Sequence, residues 1–200
     1  MVYGYLSNFN FGKIQKASFE EFSKRTLQKI QAEGDCAAYL RFKEIKASIL
    51  PSGSPEYGSE LKVSYDQADK AVNILTKLEE EIGFQNLTEG EKTRYIKIAT
   101  TWGTACEFCC GLKTSFGNEK GQRLCGCAHN IAFSGLAMWM IKQGYKDEEI
   151  LTEIAKWKAL FFPKQTLTKK LQDLEKKGEE GIKEILEEFP EFLPQMVGGC

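Results

Sequence analysis

Along most of the chain apolar residues recur every three or four positions, the period of helices that bury one face. Ser18 and Glu21 stand three apart as a capping box, and behind them Phe19, Phe22, Thr26, Leu27 and Ile30 hold that spacing until Gly34. A second run opens at Asp35 with Ala38, Phe42, Ile45 and Ile49, so residues 1–50 are expected to end in a helical hairpin. Pro51, Gly53, Pro55 and Gly58 then break the pattern, and residues 51–65 read as a linker or surface loop. Asp66 opens a helix with Ala68, Ala71, Val72, Leu75, Leu78 and Ile82 on one face. Thr88 and Glu91 form a second capping box, before a helix expected to carry Tyr95, Ile98, Ala99, Trp102 and Ala105 as far as Gly111.

Residues 112–124, with Gly117, Asn118 and Gly121, suit a short hairpin or loop. A helix is expected from about Asn130 to Gln143. Another follows from Asp147 to the stop at Pro163, and amphipathic pieces lie around 167–174 and 182–189. The fold class is therefore an all-α bundle of about seven or eight helices. Residues 66–163 would form its core domain, and 164–200 a helical extension with a mobile tail.

The 200 residues are 42% apolar and 28% charged with net charge −1, so an ordinary core is possible and no basic field exists to draw nucleic acid. No apolar run reaches the roughly 18 residues of a membrane span. The start, Met1 to Leu6, lacks a basic region followed by an apolar one, which points to a soluble, cytoplasmic protein. Phosphate-loop, dinucleotide-binding, zinc-protease and nucleophile-elbow patterns are missing, so no catalytic residue is assigned.

Cysteine placement changes the picture most. Five of the seven cysteines and the sole histidine fall in Cys106-Glu107-Phe108-Cys109-Cys110-Gly111, thirteen residues, then Cys125-Gly126-Cys127-Ala128-His129. Disulfide frameworks spread their bridges, whereas this crowding suits a metal or redox site. On the expected helix Cys106, Cys109 and Cys110 share one face of the last turn, and Cys125, Cys127 and His129 open the next helix. A helix N-terminus favours thiolate at the second half-motif. A C-terminus opposes it at the first, so a bound cation fits better than a bare dithiol.

Six candidate ligands exceed the four that one Zn²⁺ takes, which ranks an iron–sulfur cluster first, used in electron transfer, cluster handling or sensing. A structural zinc module for protein contacts, or a soft-metal (Cu⁺) or thiol-redox protein, stays open. The expected partner is a protein or redox partner, not nucleic acid. Five cysteines packed merely as small hydrophobes is the bland alternative. Cys36 reads as a packed thiol, and Cys200, behind Gly198 and Gly199, has no arguable role. Trp139, Trp157, Phe161 and Phe162 read as core and rim around the cysteines.

The cysteine motif, with Ala132 to Leu136, Lys156 to Pro163 and the stretch from Pro55 to Asp66, resembles a group of uncharacterised archaeal and anaerobe proteins. The resemblance spans about Pro51 to Pro163. It implies no catalytic residue. Some members look exported or membrane-anchored at the N-terminus, and an anaerobic habit would suit an oxygen-sensitive cluster.

Overall fold

Two of the apolar stripes set the architecture by packing on each other. A computed structural model describes residues 36–111 and 114–179 together with Ile182 and Ile185, the side chains of 36–39 and of Cys110 excepted. The helix expected behind Ser18, most of the 182–189 piece and the tail with Cys200 lie outside the described residues. In chain order the helices are α1 (Cys36–Ile49), α2 (Gly58–Leu61), α3 (Ala68–Ile82), α4 (Glu89–Ala99), α5 (Glu107–Cys110), α6 (Ala128–Lys142), α7 (Asp147–Phe161) and α8 (Pro163–Lys176). The fold is all-α. Single 3₁₀ turns at Tyr65–Gln67 and Phe84–Asn86 flank α3.

Helix α6 is the hub. Ala132, Phe133, Leu136, Ala137, Met138 and Met140 are all essentially inaccessible, the pattern of a helix covered on every side. The stripe Ala68, Ala71, Val72, Leu75 and Leu78 of α3 covers one flank. A Cβ built on Gly135 would lie 2.4 Å from the Leu75 carbonyl oxygen and 2.8 Å from the Glu79 nitrogen, so the two helices cross at backbone contact. Helices α4 and α7 close the other sides with Tyr95, Ile98, Ile150, Ile154, Trp157 and Phe161. Residues 51–65 are bound into this core, where Tyr57, Val63 and Tyr65 are buried. A separate cluster joins Phe42 and Ile45 of α1 to Leu167, Leu171 and Leu174 of α8 and to Ile182 and Ile185.

The Thr88–Glu91 capping box forms as expected: Glu91 Oε2 accepts the Thr88 N–H at 2.7 Å and Thr88 Oγ1 accepts the Glu91 N–H at 3.3 Å. The helix behind it ends at Ala99, well short of Gly111. To continue, the Ala99 carbonyl would have to accept from Gly103. It accepts instead from Gly117 N–H at 2.9 Å, while Gly103 N–H reaches the Thr114 carbonyl at 2.6 Å. Thr100 and Thr101 turn their hydroxyls back on the Ile96 and Lys97 carbonyls, which further favours an end there. Gly117 is required at this crossing, because a Cβ there would meet Ala99 Cβ at 2.8 Å. The break turns Trp102, expected on the core face, into solvent at 76% exposure. Residues 114–124 fold back as anticipated, and among the described residues Gly117 and Arg123 form an isolated antiparallel bridge. Among the described residues no helix is long and apolar enough to cross a membrane.

Candidate metal centre

The two half-motifs meet. Cys106, Cys109, Cys127 and His129 each offer one ligand atom, and the four atoms lie within 4.8 Å of one another. Cys106 is the residue preceding α5 and Cys109 lies inside it, so three-residue spacing sets both sulfurs on one side. Cys127 immediately precedes α6, and His129 is in that helix's first turn. The ends of α4 and α6 are thus bridged by side chains from a loop and a single turn of helix. Because α4 stops early, Cys106 is not at the C-terminus of a long helix, and the expected dipole penalty on its thiolate is absent.

The four donors are largely withdrawn from solvent. Cys106 and His129 are fully buried, Cys127 is 5% exposed, and only Cys109 is partly open. The imidazole packs against the rings of Phe161 and Phe162, at centroid distances of 5.4 and 4.5 Å. Phe108 packs on Phe162 from the α5 side at 5.4 Å. Asn130, fully buried on α6, accepts the Cys106 N–H on Oδ1 at 3.3 Å and fastens the loop to the helix. Lys158 ties down the other side through the Gly103 carbonyl at 2.9 Å and Glu107 at 3.4 Å.

Cys106 Sγ and Cys127 Sγ are 3.1 Å apart. At that distance one thiol can donate to the other sulfur. The hydrogen bond to Cys127, then burial, pushes the Cys106 thiol up. The same bond holds Cys127 well below the ordinary thiol range, with His129 and the Asn130 backbone N–H helping against burial. Cys127 is therefore the first to become thiolate, the form that binds metal.

Of the six candidate ligands, the described side chains bring four together. Cys125 is disulfide-bonded and stands outside the group, and its carbonyl accepts from Arg123 at 3.1 Å. The backbone of Cys110 closes α5. Cys36 begins α1.

Two polar networks, the first buried and the second partly buried, were not anticipated. Glu153 accepts Tyr57 O–H at 2.8 Å, Tyr65 O–H at 2.6 Å and Lys156 at 2.7 Å, while Trp157 Nε1–H donates to the Tyr57 oxygen at 2.7 Å. Glu79 accepts Arg123 at 2.5 Å and Ser134 at 2.8 Å, and Ser134 meets Tyr95 at 2.7 Å. The second network lines a cavity of about 590 Å³ that reaches Cys125 and Gly126. One signal for the first lies in the chain itself, because Glu153 interrupts the stripe Ile150, Ile154, Trp157 and Phe161. Compared with protein-family models, with curated proteins and with solved structures, the chain matches none.

Proposed function

We propose that Cys106, Cys109, Cys127 and His129 hold one mononuclear Zn²⁺ in a structural role, and that this protein is a zinc-stabilised helical module. The observation that carries the reading is the mutual closeness of four donors, all within 4.8 Å. A tetrahedral zinc with bonds of about 2.3 Å to sulfur sets its sulfurs about 3.8 Å apart. The 3.1 Å between Cys106 and Cys127 needs only a small opening to meet that. A cluster would distribute its thiolates over separate irons, wider apart than one coordination sphere. The disulfide at Cys125 also reduces the surplus of thiolates that favoured a polynuclear centre.

Three thiolates and an imidazole form a common structural zinc set, and burial of Cys106, Cys127 and His129 suits a closed site. The ion would supply binding free energy that ties the segment after α4 to the start of α6, with no open position for a substrate. Metal analysis of protein purified without oxygen tests this. The expected result is one zinc per chain in a colourless preparation, lost in His129→Ala and Cys127→Ser. Iron with matching acid-labile sulfide and visible absorption would overturn it in favour of a cluster.

A further inference from the structure

A second cavity, of about 280 Å³, lies between the segment before α2 and the first turns of α7. Its lining includes Tyr57, Tyr145, Met140 and the four acids Glu56, Glu148, Glu149 and Glu153. The two tyrosine rings stand nearly perpendicular, at 86° with centroids 6.4 Å apart, and so form a corner. Trp139 backs both rings, at 5.6 Å from Tyr57 and 6.2 Å from Tyr145. Tyr57 cannot swing out, because its hydroxyl donates to Glu153 and accepts from Trp157.

Charge and shape here select one ligand chemistry. Four carboxylates face a single ammonium, Lys156, which is already engaged by Glu153 at 2.7 Å. Glu149 is occupied by the Lys146 N–H at 2.7 Å. Glu56 and Glu148 are exposed, and no hydrogen bond or ion pair holds their carboxylates among the described residues. Burial first, and then the carboxylates of Glu56, Glu60, Glu149 and Glu153, push the Tyr145 phenol up, which reports a negative potential at that ring. Anions are repelled by such a lining. A hard divalent ion would use the carboxylates but gain nothing from the rings. An organic cation uses both, since ring faces attract an ammonium and carboxylates offset its charge. The protein already applies this chemistry to itself: the Lys156 ammonium, bonded to Glu153, stands 5.7 Å from the centroid of Tyr65.

We propose that this cavity is a binding site for a small alkylammonium or quaternary ammonium group, seated at the corner of Tyr57 and Tyr145 and faced by Glu56 and Glu148. The proposal is independent of the metal centre, which shares none of these residues.

Choline is the probe, with 3,3-dimethylbutan-1-ol as its uncharged isostere, titrated into the full-length protein and followed by tyrosine ring proton shifts and calorimetry. Saturable choline binding is expected, with the isostere at least about tenfold weaker. Tyr145→Leu, at a half-buried position, should weaken choline about fivefold. The pair Glu56→Gln and Glu148→Gln, on exposed side chains that do not support the core, should weaken it more at low salt than at high. Absence of saturation, equal binding of the isostere, unchanged affinity in Tyr145→Leu, or displacement of choline by equimolar Mg²⁺ would each overturn the proposal.

Discussion

Alanine in place of glycine should have opposite signs at two helical positions of this protein. At Gly90, in the first turn of α4, nothing lies within 4 Å of an added Cβ. There the substitution removes only the conformational freedom of glycine in the unfolded chain, and stability should rise by about 0.4–1 kcal/mol. At Gly135 the same gain is overwhelmed. The new methyl would be 2.4 Å from the Leu75 oxygen, 2.8 Å from the Glu79 nitrogen and 3.1 Å from Leu78 Cβ. Two of these three neighbours are backbone atoms of α3, which cannot rotate aside, so α3 and α6 must part along their main contact. Overpacking of this kind costs about 1–3 kcal/mol, occasionally more. Gly135→Ala should therefore be destabilised by about 0.5–2.5 kcal/mol after the glycine-to-alanine gain, a fall in Tm of roughly 1–10 °C for a chain of this size. Urea unfolding of metal-loaded protein, with unchanged slope in denaturant, is the assay. If Gly135→Ala equals or exceeds the parent in stability, the close crossing of α3 and α6 is not present in solution.

Tyr57→Phe strips a donor from Glu153 and leaves the buried Trp157 N–H without its acceptor, whereas Tyr65→Phe strips one donor only. Denaturation should place the first about 1–2 kcal/mol below the second. Asp147 is held below its ordinary value of 3.8 by Lys97 first and by Arg94, against burial. Its carboxyl therefore binds its proton less readily folded than unfolded, so its contribution to stability is full above pH 3.8 and lost as pH falls below that. Asp147→Asn should be less stable at neutral pH and should show a shallower decline in that acid window by circular dichroism. Cys125→Ser should keep one metal per chain while Cys127→Ser loses it, by elemental analysis. Removal of the ion with a strong chelator should expose amides of residues 100–130 to hydrogen exchange while those of α3 stay protected, and equal loss in both would refute a local role.

The parts of the fold written into short stretches of chain were legible. The α3 stripe, the Thr88–Glu91 box and the start of α6 each depend on neighbours within one or two turns. The end of α4 was not legible, because the competitor for the Ala99 carbonyl is Gly117, which only the folded loop brings near. The density of cysteines around His129 marked the site. Which four donors converge depends on how the loop returns, and on the disulfide that takes Cys125 out. The Glu153 network joins residues 96 and 88 positions apart, beyond the reach of any periodicity. The exposure of Trp102 follows from the same unforeseen break.

The aromatic walls of His129 come from the far end of α7. Every donor atom is encoded before Phe161 and Phe162, yet those two rings pack directly against the imidazole. A nascent chain that has emerged only through α6 carries all the donors and none of the walls. If the four donors hold an ion as proposed, the ring surroundings of its imidazole ligand would be complete only once α7 has docked, which would couple that site to completion of the bundle.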